Sequence, residues 1–359
     1  MLQQCVVFSV FLEKFFRKCA TISAHYGMSN DFDNLIVSLC KFTNLINSSD
    51  SPESVTIAFG LNLKAQLVTK TLFDLVRKHG DIMRESWKNI LEIVLQLHKC
   101  KLLPKSLIEA EDFLEHNKKI ILMREEIPSQ KTETGLLSSL YSYIALGAEA
   151  SSHRAPSMED QEHMKIARHC IKECKIDQII TESKFLRMDS LLELIKSLIS
   201  ASHGPGSNQF NEDATVFFLE ILVKIVIQNS DRANGIWLNI RDHIYSLIVG
   251  GSACDHYYLT ERAVVGLLRL AIRLMRREEM SLVVLQSLRM LLLLKNNILQ
   301  RISRQIAYGL YELLKTSAAN IHTSTDWTII FTLLECVGAG APPPKLVGNN
   351  SQNNVNNGW

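Results

Sequence analysis

His169, Cys170 and Cys174 are the nearest approach to a reactive cluster, placing one imidazole and two thiols in a single helical stretch. Residues four apart share a helix face, so the two thiolates could close on one ion. A tetrahedral site needs further ligands, and no second pair at Cys-x-x-Cys or His-x-x-x-His spacing supplies them. His98 and Cys100 lack partners in the same way. Packed thiols without metal are therefore the expectation. Gly250-Gly251-Ser252-Ala253-Cys254-Asp255 sets a serine after glycines, but a nucleophile elbow needs a Gly after the Ser and a strand before it, so a plain loop is expected. Gly204-Pro205-Gly206 has no lysine to reach phosphate, and no Gly-x-x-x-x-Gly-Lys-Ser/Thr loop occurs. The expected inventory is no catalytic residue, no metal site and no cofactor.

Two stretches could act by binding instead. Arg262, Arg269, Arg273, Arg276 and Arg277 follow at steps of seven, four, three and one, opposite an apolar surface of Val264, Leu267, Leu268, Ala271, Leu274 and Met275. Such a stripe suits anionic lipid headgroups or an acidic partner. A solvated solenoid face partly neutralised by Glu261, Glu278 and Glu279 is the expected explanation, ahead of such a site. From Phe185 to Ile199 the apolar residues Phe185, Leu186, Leu191, Leu192, Ile195 and Leu198 outweigh a thin polar side of Arg187, Asp189, Glu193 and Lys196. That helix could lie in a membrane interface, dock on a partner helix, or be buried between neighbours.

The elements that must position these residues are helical. The chain has 359 residues, 47% of them hydrophobic, with only 16 Gly and 8 Pro, enough to bury a large core and poor in strand signals. With 39 basic and 37 acidic residues, its net charge of +2 provides no whole-molecule field for nucleic acid, and no nucleic-acid partner is expected. The eight scattered cysteines read as reduced thiols in a cytoplasmic protein. Cys5 to Leu12 is apolar but short, without a basic residue ahead or a cleavage site behind, so it reads as a helix end and not a signal peptide. No run approaches the roughly 20 apolar residues of a membrane span.

Helical periodicity predicts segments near 32–45, 87–97, 159–174, 188–199, 214–227, 236–248, 261–275, 280–294, 298–314 and 327–337. Another, through Val68, Leu72, Leu75 and Val76, should end at Gly80 in a left-handed turn. Trp87, Trp237 and Trp327 each open a segment with Ile three residues later, which hints at a repeated helix pair. Their spacings of 150 and 90 residues exclude a fixed period. The expected fold is all-α, an irregular helical-hairpin solenoid of the HEAT, armadillo or tetratricopeptide kind. Its expected parts are a helical N-terminal extension over 1–21, a first region over 22–202, a linker over 203–212, a second region over 213–338 and a disordered Asn-rich tail over 339–359. Apolar faces at Cys5–Leu12 and Ile329–Leu334, without polar caps, suggest a piece of a longer stack.

The run Asp33-Asn34-Leu35-Ile36-Val37-Ser38-Leu39-Cys40-Lys41-Phe42-Thr43, then Lys64-Ala65-Gln66, the Phe73–Gly80 helix end, and Glu85-Ser86-Trp87-Lys88-Asn89-Ile90-Leu91 before Leu102-Leu103-Pro104 resemble the region after the Sec-seven domain in large ARF guanine-nucleotide exchange factors. Trp237–Ile248, Glu261-Arg262-Ala263-Val264-Val265-Gly266-Leu267-Leu268-Arg269-Leu270, Ser287-Leu288-Arg289 and the stretch from Asp326-Trp327 to Gly338 resemble the next downstream helical region of the Golgi-specific brefeldin-A-resistance branch. The resemblance implies two tetratricopeptide-like regions associated with recruitment to early Golgi membranes and lipid droplets and with regulation of the exchange factor in vesicle transport. It implies a cytoplasmic, peripheral location. The implied partners are the Golgi or lipid-droplet surface, ARF or other small GTPases, and the rest of the parent factor. The family's catalytic glutamate belongs to the Sec-seven domain, which no segment here resembles, so no activity is expected of this chain by itself. A stand-alone interaction module without lipid binding is the competing expectation.

Overall fold

The computed structural model describes residues 2–46, 50–122, 157–203 and 210–340, with side chains from Lys14 onward. The expected linker at 203–212 and the tail at 339–359 fall mostly outside these residues. The described chain is all-α apart from one short hairpin, and it divides into two compact units.

The first unit comprises residues 1–110 and 120–228. Its helices are α1 (Leu2–His25), α2 (Ser29–Phe42), α3 (Pro52–Leu61), α4 (Leu63–His79), α5 (Trp87–Lys99), the single turn α6 (Lys105–Ile108), α7 (Met158–Cys174), the short α8 (Gln178–Glu182), α9 (Met188–Ser202) and α10 (Glu212–Gln228). α4 is central, packing against α1, α2, α3, α7 and α8, while α9 packs on α5 and α10. α10 thus belongs with the helices before it, and the compact units part after Gln228. Burial of Phe32, Leu72, Phe73, Trp87 and Phe217 forms the core.

The second unit comprises residues 229–359 together with 111–119, the tip of the hairpin β1 (Glu109–Glu111) and β2 (Lys119–Ile121). Its helices are α11 (Trp237–Ala253), α12 (Tyr257–Leu274), α13 (Glu278–Leu288), α14 (Asn296–Arg301), α15 (Ser303–Ser317) and α16 (Ser324–Leu334). α12 is buried along most of its length by α11, α13 and α15, and α16 packs on α13. In each unit helix packs on helix, and pairs adjacent in sequence such as α1–α2, α9–α10 and α11–α12 are joined by more distant ones such as α3–α7 and α12–α15, an irregular all-α solenoid.

The tryptophan motif has a structural counterpart. α4, α10 and α15 are each followed by a 3₁₀ turn, at Gly80–Ile82, Ser230–Gly235 and Ala318–Asn320, and then by the Trp-bearing helix. Trp87 and Trp237 are the first residues of α5 and α11, and Ile90, Ile240 and Ile330 are fully buried. Trp87 and Trp237 mark where the chain re-enters the core, and in all three helices the Ile one turn on fixes the buried face.

Several expectations change. Gly80 is right-handed, with φ −54°, and opens its 3₁₀ turn. A Cβ there would stand 2.9 Å from Leu186 Cδ2, the movable end of a side chain. α2 stops at Phe42, because Asn44 takes the left-handed conformation with φ 57°. The 280–294 segment breaks into α13 and a 3₁₀ turn at Arg289–Leu293, and the 298–314 segment breaks at Ile302. Residues 250–253 continue α11 and do not form a loop; Gly251 lets α12 approach, since a Cβ there would meet Thr260 Oγ1 at 2.6 Å. Ile329, Ile330 and Leu333, expected as an uncovered face, are buried.

Candidate functional site

The thiols and imidazoles separate in space. Cys170 and Cys174 face the core, with the Cys174 thiol donating to the Cys170 carbonyl, while His169 points outward to Glu173 on the same helix. Among the described residues, no group of three or more His, Cys, Asp or Glu could hold a metal ion.

The arginine stripe does not remain one surface. Arg262 and Arg269 are buried, and each is bound to the 111–119 loop of the second unit. Arg262 Nη1 donates to Asp112 Oδ2 at 2.6 Å and its Nη2 to the Glu111 carbonyl at 2.8 Å. Gln305 Nε2 from α15 donates to the same Asp112 oxygen at 2.9 Å and to Glu261 at 3.1 Å. The other Asp112 oxygen accepts from the N–H groups of Leu114 and Glu115. Burial would raise the Asp112 carboxyl, but the Leu114 N–H, the Arg262 guanidinium and the Gln305 amide together hold it below the usual carboxylate value. Arg269 pairs with Glu111 at 3.6 Å, Arg273 with the same carboxylate at 3.9 Å, and Arg277 with Glu279 at 2.9 Å. Arg273 and Arg276 stand exposed. Arg262, buried and hydrogen-bonded to both Asp112 and the Glu111 carbonyl, ties the 111–119 loop to α12.

The apolar helix is likewise used internally. Leu191, Ile195 and Leu198 are fully buried in α9 where it meets α5 and α10, and Leu186 and Leu192 are half-buried. Phe185 alone is open to solvent, at 73% exposure, with the Lys184 ammonium 4.9 Å from its ring centre.

Sequence reasoning missed the polar tie beneath this helix. Asp33 in α2 accepts from the N–H groups of Arg84 and Glu85 and from the Ser86 hydroxyl. Arg84 in turn donates to the carbonyls of Asp81 and Met83, to Ser190 and to Asp189. The long reach from residue 33 to 86 left no local signal. In the second unit, Leu238, Tyr245 and Val249 form an exposed row on α11, and a shallow groove of about 420 Å³ runs between Arg241, Asp242, Tyr245, Gln286, Arg289 and Leu293. No described helix is long and apolar enough to cross a membrane.

These features describe surfaces for contact, and comparison with known proteins gives them a setting. No family model matches the chain. It is 40% identical over 367 residues, covering 91% of this chain and 18% of the relative, to the Golgi-specific brefeldin A-resistance guanine nucleotide exchange factor 1 homolog of Caenorhabditis elegans. It is 33% identical over 335 residues, 89% of this chain and 23% of the relative, to the ARF guanine-nucleotide exchange factor GNOM of Arabidopsis thaliana. Identity to ARF guanine-nucleotide exchange factor 2 of Saccharomyces cerevisiae is 25% over 249 residues, 58% of this chain. The chain spans about a fifth of the length of the first two of these relatives. By these matches it belongs to the family of large ARF guanine-nucleotide exchange factors of the Golgi brefeldin A-resistance type, corresponding to a part of their length.

Proposed function

We propose that this chain is a non-catalytic helical scaffold segment of an ARF guanine-nucleotide exchange factor, serving membrane targeting and regulation of ARF activation in ER–Golgi vesicle transport. The observation that carries the reading is the alignment of nine tenths of the chain with a stretch of the exchange-factor relatives. The buried charged groups described above support it, because they tie helices and loops together within their units. The chain acts from the cytoplasm, peripherally on early Golgi or lipid-droplet surfaces, and its partners are ARF or another small GTPase and the remainder of the parent factor. Mixing the chain with GDP-loaded ARF and following nucleotide release tests the non-catalytic part: release at the uncatalysed rate is expected, and acceleration overturns it. Flotation with liposomes, with and without anionic lipid, tests targeting. Phe185→Asp should weaken flotation while leaving the fold intact, and failure of the unaltered chain to float overturns the lipid contact.

One observation favours a second reading, a protein-interaction module without lipid binding. Leu191, Ile195 and Leu198 are spent on intramolecular packing, which withdraws most of the α9 apolar face from a bilayer. Capture of ARF or of the parent factor's remaining domains in lipid-free, detergent-washed conditions, with no flotation, would select it.

A further inference from the structure

α15 and the last residue of α14 carry a basic row separate from the arginine stripe of α12. Arg301, Arg304, Tyr308, Tyr311 and Lys315 follow at steps of three and four, and all five are exposed. From Arg304 to Lys315 the row runs about 17 Å at 1.5 Å per residue. The opposite face of α15, with Gln305, Ile306, Gly309, Leu310 and Leu313, is buried, so the row has a fixed outward direction.

Its charges are uncompensated. Among the described residues, Arg301, Arg304 and Lys315 have no carboxylate within 4.0 Å. The single acid of α15, Glu312, is turned to Lys118 at 3.8 Å. By contrast Arg262, Arg269, Arg273 and Arg277 of the α12 stripe each face a carboxylate. Two of the free cations are oriented by rings: Arg301 stands 4.4 Å from the Tyr257 ring centre, and Lys315 stands 5.9 Å from that of Tyr311. Like charges held on one surface without counter-charges repel, so leaving Arg301, Arg304 and Lys315 unpaired favours the arrival of an anion. The aromatic rings add flat contact area at low entropic cost.

We propose that this face docks an acidic polypeptide segment, with Arg301, Arg304 and Lys315 receiving carboxylates and Tyr308 and Tyr311 receiving the apolar side chains between them. From Arg304 to Lys315 the row runs along the single helix α15, which fits an extended or helical acidic peptide. An interfacial helix needs a free apolar face opposite its charges, and the apolar face of α15 is buried within its own unit. The inference is independent of the scaffold reading above.

The test uses the whole 359-residue chain and a fluorescein-labelled peptide of repeated Glu-Glu-Leu, long enough to span the row, read by anisotropy at low and physiological salt. Combined Arg301→Glu, Arg304→Glu and Lys315→Glu should weaken binding at least about tenfold. Tyr308→Ser with Tyr311→Ser should weaken it several-fold, and Arg276→Glu, an exposed arginine outside the row, should leave it unchanged. Circular dichroism verifies the fold, and Arg304→Gln with Lys315→Gln gives the same readout should the triple reversal unfold. The proposal is overturned if the unaltered chain does not bind the peptide, or if Arg276→Glu is as damaging as the reversals. It is also overturned if anionic vesicles or a single-stranded oligonucleotide bind more tightly than the peptide and lose binding in the same variants.

Discussion

Arg262 and Asp112 stand 150 positions apart in sequence and meet at 2.6 Å, each side chain only 4% exposed. Neither charge could stay there alone, because a lone buried ion costs far more than a hydrogen bond returns. Arg262→Ala should therefore destabilise the second unit by about 3–5 kcal/mol, and Asp112→Ala by a similar amount. The double replacement should cost clearly less than the sum, which urea denaturation of the four variants measures. The folded carboxyl is held below its ordinary value, so its contribution is present above about pH 4 and lost as pH falls through the lower folded value. Asp112→Asn should flatten that acid limb.

Asp33 makes a comparable knot in the first unit, with the N–H groups of Arg84 and Glu85 and the Ser86 hydroxyl converging on one carboxylate just ahead of Trp87. Asp33→Ala orphans donors that water reaches poorly, at a cost of about 1–3 kcal/mol. Hydrogen exchange at the 84 and 85 amides should accelerate well beyond the unit's average. An unchanged rate there would remove Asp33 from the role of anchoring the 80–86 turn.

Much of the helical architecture was legible, because Trp87, Trp237, Ile90 and Ile240 sit where amphipathic periodicity demands a buried stripe. α3 was not among the expected segments; Pro52 is the favoured first helical residue behind the Ser51 cap, and Gly60 is small for its neighbour's sake. The hairpin strands, three residues each, are too short for any period to register. The arginine stripe was legible as a row of charges but not as a set of pairs. Its counter-charges Glu111 and Asp112 come from a distant loop, and spacing carries no information about such meetings.

His98 offers a pH test of the first unit. Its ring stacks on Phe217 at 4.1 Å between centres, and burial, then the adjacent Lys99 charge, push its pKa down to about 4. The unfolded chain accepts a proton near pH 6.5 that the folded chain refuses until about pH 4. Stability is thus fully present above pH 6.5 and falls by about 1.4 kcal/mol per pH unit within that window. His98→Phe should keep the stack and abolish this portion of the slope, as thermal or urea unfolding at pH 7 and pH 5 would register.

Two glycines should respond oppositely to alanine. At Gly60 in α3, a Cβ would lie 2.1 Å from the backbone carbonyl oxygen of His163 in α7, so the two helices must move apart. Backbone cannot rotate aside as a side chain can, and overpacking of this kind costs about 1–3 kcal/mol or more. At Gly250 in α11 nothing stands within 4 Å of the added methyl. There alanine removes only the conformational freedom of the unfolded chain and should stabilise by up to about 1 kcal/mol. Paired melting curves of Gly60→Ala and Gly250→Ala therefore separate a glycine that sets a helix–helix distance from one that merely occupies a helix. Equal shifts in the two variants would mean that α3 and α7 do not meet at Gly60 in solution.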